Sequence, residues 1–377
     1  MNIVYLDNSA TTCVSQAAAA KIYEMLISNY GNPSSLHKLG IDAYVEMEQA
    51  RETIANSIKA EKKEIFFTSG GTESNNLAIF GTVSAHQRKG KRIVTTSIEH
   101  PSVLEPIKQL EKRGFETVYL KPNEQGTVPI EKFQEVINEN TLLVSCMAIN
   151  NETGAFLPID KIAAVIKQKK SSAIFHCDAV QQYGKYDINP ARLGIDLMSI
   201  SAHKIFGPKG IGAIYIKNGV RIQSRSFGGG QEKGIRSGTE SVPLIAGFGV
   251  AVNEIFDNKM DDNFIRELKQ KCVQKLSIYE DIIINSPVNG SDYILNISVL
   301  GIKSEVMLHY LEEKGIFVSS GSACKKGRDS HVLTAQGVPQ KHIHSALRIS
   351  FCRHNTMEDI ERLVQGIAKG REEISRG

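Results

Sequence analysis

Two observations predict an α/β fold with a mostly parallel sheet covered by helices on both faces. Strand-length apolar runs alternate with amphipathic runs of helical period, and this rhythm changes after about Phe256. A third, the length of 377 residues, is too great for one comfortable core and suits one large and one small domain. In chain order, the apolar run 64–68 leads into a helix from about Glu73. The run 92–96 precedes a helix near 103–113, and 117–120 is followed by a helix near 130–138. The run 142–147 precedes a helix near 159–167, and 173–177 and 195–200 follow as further strands. Beyond Phe256, two strand candidates, 294–299 and 347–351, sit among helices, which predicts a smaller α+β domain. The expected division is a large domain over 15–257 and a small domain built from 1–14 and 258–377. No internal repeat, low-complexity tract or long Gly/Ser linker interrupts it.

Composition narrows the class. Apolar residues make up 41% and charged residues 23%, as in ordinary soluble globular proteins. A net charge of +4 does not by itself argue for nucleic acid. The start, Met1-Asn2-Ile3-Val4-Tyr5, has neither a basic segment nor a long apolar run, so no signal peptide or membrane span is expected. The 6 cysteines, at 13, 146, 177, 272, 324 and 352, form no CxxC pair. Scattered thiols point to a reducing cytoplasm rather than a disulfide framework, and no tetrahedral zinc spacing is present. His342-Ile343-His344 with Cys352 matches no common metal pattern, and Lys167-Gln168-Lys169-Lys170 reads as a solvated helix end.

The most informative stretch is Ser201-Ala202-His203-Lys204, between an apolar strand and the glycine-rich run 205–212. A buried strand there delivers one lysine onto a tight turn, beside Ser and His that can hydrogen-bond an anion. A lysine so held can form a Schiff base with an aldehyde. The plainer alternative, a solvated lysine before a hairpin, leaves the polar residues and glycine spacing unexplained.

Four more positions suggest chemistry. Ser69-Gly70-Gly71-Thr72 lies between a strand and a helix, where glycines admit close backbone approach and free N–H groups attract a phosphate. A plain turn with Thr72 as helix cap is the competing reading. Asp178 ends an apolar strand, where a carboxylate can pair with a protonated pyridine nitrogen or merely form a turn. His100 precedes Pro101 at a strand-to-helix junction and can move protons near neutral pH, or simply be structural. Arg348 lies between Leu347 and Ile349, where a charge is costly unless paired; it can clamp a carboxylate or point outward. Cys324 stands apart among the thiols. Its setting, 319–329, is small and polar and then basic, like a loop, and the basic neighbours favour a thiolate. Burial without reactivity is expected for Cys146, Cys177 and Cys352, and less firmly for Cys13 and Cys272.

These stretches resemble the cysteine desulfurases of the class V pyridoxal-phosphate-dependent aminotransferase superfamily. The likeness runs in family order from Tyr5 to Arg348 through 5–12, 31–35, 68–76, Glu99-His100, Asn150-Asn151-Glu152, 178–181, 236–239 and 319–324. It implies a fold type I pyridoxal-phosphate transferase with a seven-stranded-type sheet. It implies that Lys204 holds pyridoxal 5'-phosphate and removes the substrate's α-proton. Gly71, Thr72, Ser201 and His203 would cradle the phosphate, and Thr239 would reach the phosphate of a partner subunit, making a homodimer. Asp178 would meet the pyridine nitrogen, Gln181 the phenolic oxygen, and His100 would stack on the ring as acid or base. Arg348, assisted by Asn151, would anchor the carboxylate of L-cysteine. Cys324 would take the sulfur as a persulfide, release L-alanine, and pass the sulfur to an acceptor protein in iron–sulfur cluster assembly or tRNA thiolation. No membrane and no direct nucleic-acid contact is implied.

Two features depart from the better-known iron–sulfur members. Lys325, Lys326 and Arg328 stand where small hydroxyl residues are common, and the chain ends at Gly377 without a long C-terminal extension. The basic loop could favour an acidic acceptor or a tRNA-thiolation enzyme, or only stay solvated. A selenocysteine lyase and a non-catalytic scaffold that keeps the fold are the alternatives to a desulfurase.

Overall fold

The computed structural model describes residues 3–257, 262–320 and 329–374. Thirteen strands are found among them: β1 (Val4–Tyr5), β2 (Ile65–Thr68), β3 (Arg92–Thr96), β4 (Glu116–Leu120), β5 (Thr141–Ser145), β6 (Ile174–Asp178), β7 (Leu197–Ser201), β8 (Gly212–Ile216), β9 (Ile282–Ile284), β10 (Ile294–Val299), β11 (Ile316–Phe317), β12 (Ser319–Ser320) and β13 (Ala346–Ser350). Seven form one sheet in the order β2-β8-β7-β6-β5-β3-β4. Its strands run parallel except β8, which is antiparallel to both neighbours. β5, β7 and β8 are buried at every position, so they read as continuous apolar runs rather than alternating ones. A second, antiparallel sheet has the order β12-β13-β10-β9, and β1 pairs with β11.

Because β8 runs against β2 and β7, β2 points the same way as β3, β5, β6 and β7. The carboxyl ends of the six strands β2 to β7 therefore lie on one edge of the sheet, the edge where α/β folds bind ligands. Ser69, His100, Asn151, Asp178 and Ser201 stand at or just after those ends.

Four helices of the first half explain the edge's surroundings: α1 (Gln16–Ile27), α2 (Lys38–Ser57), α3 (Gly71–His86) and α4 (Pro101–Glu111). α3 packs across β5, β6, β7 and β8, with Leu77, Ala78 and Ile79 buried. α4 starts where His100 caps it and Pro101 fixes its first turn. α1 and α2 pack on the helix Val242–Asp257, itself strongly apolar. A separate apolar cluster around the small sheet includes Leu295, Leu347 and Ile349 together with Val4 and Leu6 from the other end of the chain.

Residues 5–12 bridge the two sheets. Leu6 N–H donates to Phe317 O (2.8 Å), and the Ser9 N–H to Ser350 Oγ (2.8 Å). Thr12 N–H donates to His203 O (2.8 Å), and Thr12 Oγ1 accepts the Phe206 N–H (2.7 Å).

A second long-range tie is a buried ion cluster. Arg51 makes a bidentate pair with Glu232 (2.6 and 2.8 Å), donates through Nε to Glu48 (2.7 Å), and stacks 4.6 Å from the Phe67 ring centroid. Glu232 also accepts the Phe67 N–H (2.7 Å). Glu232 and Lys233 both have positive φ, 48° and 55°, a conformation that costs L-residues about 1 kcal/mol each. The fixed carboxylate offsets that strain and starts the loop to Thr239. Removing one partner of such a pair leaves a buried charge, so Arg51→Met should lower unfolding stability by about 3–5 kcal/mol in urea titrations. A loss under about 1 kcal/mol would show that the pair does not hold the loop.

Candidate active site

One end of the cleft is built by the β2–α3 turn and by β7. Gly70 has φ 143°, and a Cβ on Gly71 would sit 2.8 Å from Val180 Cγ2, so neither position accepts a side chain without strain or movement. The helix cap is Gly70, not Thr72; Thr72 lies inside the first turn, which corrects the plain-turn reading. A cavity of 340 Å³ is lined by Ser69, Gly71, Thr72, Ser201, His203 and Lys209, among others. The Ser201 hydroxyl is buried with no partner among the described residues. Burial together with Lys204, Lys209 and Lys185 holds the His203 imidazole down to about 4, so it is neutral. An orphaned hydroxyl, free α3 N–H groups and facing ammoniums fit a phosphate.

Lys204 lies in a short 3₁₀ turn directly after β7. Its Nζ donates to the carbonyls of Ser9 (2.6 Å) and Ala10 (2.7 Å). The sequence placed the lysine; its partners 194 and 195 residues away were not visible there.

Asp178 is buried at the end of β6. Its carboxylate accepts from Asn75 Nδ2 (2.7 Å) and the Val180 N–H (3.1 Å). Asn75 is a residue that sequence reasoning assigned no role. It stands one turn after Gly71 on α3, a spacing that puts both on one helix face. Its amide also donates to Ser102 Oγ (2.8 Å), which lies 2.7 Å from His100 Nδ1. Burial first, with Lys204 and His331 against Asp178, keeps His100 below its ordinary value. Gln181 donates to Ser9 O (3.0 Å) and accepts from Lys185 (2.9 Å).

Arg348 is buried in β13, not outward-facing. Its Nη2 pairs with Asp7 (2.8 Å) and its Nη1 donates to the Asn151 carbonyl (3.1 Å), while its buried Nε has no partner among the described residues. Asn151 thus meets Arg348 through its backbone. Thr239 is exposed and does not line the phosphate-sized cavity of its own chain. Cys324, with Lys325, Lys326 and Arg328, lies outside the described residues. Cys146, Cys177, Cys272 and Cys352 are buried, and burial raises each thiol, Cys272 to about 12. Cys13 is exposed, so the inert-by-burial reading does not apply to it.

Two buried carboxyls in the quoted motifs were given no role from sequence. Glu99 Oε1 accepts from Thr96 (2.8 Å) and the Met147 N–H (2.9 Å), and Oε2 is unpartnered. Burial raises Glu99 to about 8 and Glu152 to about 7. Between the ordinary value of 4.5 and about 8, the folded chain keeps the Glu99 proton and the unfolded chain has lost it. Stability from this group therefore falls as pH rises through that window. Glu99→Gln cannot ionise, so its melting temperature should match the wild type near pH 5 and exceed it near pH 8. An equal difference at both values would mean that Glu99 is ionised in the fold.

The family described as Aminotransferase class-V matches residues 4–363. A cysteine desulfurase IscS of Clostridium botulinum (strain Hall) is 40% identical over 373 residues, covering 97% of this chain and 94% of the relative. Among solved structures, a NifS-like protein is 36% identical with a TM-score of 0.92, covering 99% of this chain and 100% of that one. A structure of SspA in complex with cysteine is 33% identical with a TM-score of 0.82, covering 93% and 99%. With matches of this extent, the chain belongs to the cysteine desulfurases of the aminotransferase class-V family.

Proposed function

We propose that this protein is a pyridoxal-phosphate-dependent cysteine desulfurase that works as a homodimer and stores sulfur on Cys324. The observation that carries the reading is the convergence, on one sheet edge, of Lys204, a phosphate-fitting cradle and a buried carboxylate held by Asn75. Pyridoxal phosphate, when bound, supplies the electron sink for the substrate's α-carbon. Thr72, Ser201, His203 and the α3 N-terminus hold its phosphate, and Asp178 holds its pyridine nitrogen. Asn75 fixes the Asp178 carboxylate in place. The neutral His100 imidazole stacks on the ring and accepts or returns a proton. Lys204 takes the α-proton once its amine is unprotonated. Arg348 offers Nε to the substrate carboxylate, oriented by Asp7 and the Asn151 carbonyl.

In the overall reaction L-cysteine and the Cys324 thiol give L-alanine and a Cys324 persulfide. An S–S bond forms, the Cβ–S bond breaks, and a proton replaces sulfur on Cβ. The sulfur then passes to an acceptor protein, in iron–sulfur assembly or tRNA thiolation.

The homodimer reading is supported by an exposed apolar surface on α1, α2 and the turn between them, including Tyr23, Leu26, Ile27, Tyr30, Leu36 and Tyr44. It is also supported by Thr239, exposed on a loop that Arg236 ties to Glu73 (3.0 Å). The division into 15–257 and 1–14 with 258–377 is supported by the separate apolar cluster around the small sheet. No helix among the described residues is long and apolar enough to cross a membrane. Free thiols at all five described cysteines support a cytoplasmic setting.

Borohydride reduction followed by peptide mapping should place the cofactor on Lys204, and Lys204→Ala should abolish turnover; cofactor on Lys209 would overturn the assignment. Cys324→Ser should still bind pyridoxal phosphate and L-cysteine, release almost no alanine and carry no persulfide by mass spectrometry. Normal cysteine turnover in that variant would favour the lyase alternative. Mixing Lys204→Ala with Thr239→Ala chains should restore part of the activity through hybrid dimers, and a fully active monomer in sedimentation would refute the shared site.

A further inference from the structure

Lys185 enters the cleft from the turn after β6. Its Nζ donates to Gln181 Oε1 (2.9 Å), Gln181 Nε2 donates to the Ser9 carbonyl (3.0 Å), and Lys204 Nζ donates to that same carbonyl (2.6 Å). The polarity of this chain has only one solution. An ammonium has donors and no acceptor, and a carbonyl has acceptors and no donor. Turning the Gln181 amide over would set donor against donor at Lys185 and acceptor against acceptor at Ser9. The amide orientation is thus imposed from both ends.

We propose that Lys185 is a positioning residue for the cofactor, holding Gln181 with its amide nitrogen as the donor toward the cofactor's phenolic oxygen. This rests on the reading of Gln181 as the residue that meets that oxygen. Lys185 lines a 330 Å³ cavity that also reaches Lys204, Asp187, Cys352 and Arg353. Burial first, then Lys204 and Arg348, lower Lys185 to about 7, while Cys352 opposes them; His203 in turn feels Lys185. The neutral amine can accept as well as donate, so once Lys185 loses its proton the Ser9 carbonyl alone sets the amide.

A donor on the phenolic oxygen favours its anionic form and lowers the pH at which the Lys204–cofactor linkage loses its proton. The midpoint of the pH titration of the cofactor's visible band reads this directly. In the holoenzyme, Gln181→Ala and Lys185→Met should each raise that midpoint by about 0.5–1 unit, the size of one hydrogen bond. The double variant should move less than the sum of the two, and Lys185→Arg, which keeps a donor, should return at least half of the shift. Lys185→Ala serves where Lys185→Met does not fold. If Gln181→Ala leaves the midpoint unchanged, the reading of Gln181 fails and this inference with it. If Gln181→Ala shifts it but Lys185→Met does not, or the two shifts add in full, the inference alone is overturned: Lys185 then acts by charge or not at all.

Discussion

Residues 5–12 are the constraint on which the site depends. This one segment hydrogen-bonds to β11 at Phe317, to the small sheet at Ser350, and to the turn after β7 at His203 and Phe206. Its backbone supplies the carbonyls that receive Lys204, and its Asp7 supplies the carboxylate that receives Arg348. The lysine and the arginine come from different sheets, 144 positions apart in sequence. Their mutual placement is set through a short strip of backbone that both grip. A shift of that strip would move cofactor end and substrate end together.

The charge distribution of the cleft explains which ligands it can hold. Lys185, Lys204, Lys209 and Arg348 converge there, and the nearby histidines answer by staying neutral. Asp7 and Asp178 are each fixed by specific donors, so they balance only part of that charge. The proposed phosphate at one end and carboxylate at the other would supply the missing anions. The buried carboxyls just outside the cleft, Glu99 and Glu152, hold their protons well above the usual carboxylate range and add little negative charge.

Much of this was legible in the sequence because it is local. The parallel strands from β2 to β7 and the helices between them follow from apolar runs a few residues long, and the strand ends place Asp178 and Ser201 on a shared edge. The resemblance then supplied roles. What escaped was set by distant partners or by very short elements. The two- and three-residue strands β1, β9, β11 and β12 are too brief to show a period. The Arg51–Glu232 pair joins residues 181 apart and stabilises two positive-φ residues that nothing in their own sequence announces. Arg348 could face either way by strand alternation; only the Asp7 contact decides it. Cys13 and Cys272 look alike as lone thiols, yet one is exposed and the other lies in the small-sheet core.

The described residues on either side of Cys324 are fixed close to Arg348. On one side β12 pairs with β13, Ser319 opposite Arg348 and Ser320 opposite Leu347. On the other, the Ser330 hydroxyl donates to Glu152, the neighbour of Asn151, and also caps the helix His331–Gln336. His331 adds a contact to the Glu99 carbonyl at 3.0 Å, next to His100. The two flanks are thus tied to the residues around Arg348, one through its own strand and the other through the neighbour of Asn151, whose carbonyl Arg348 holds.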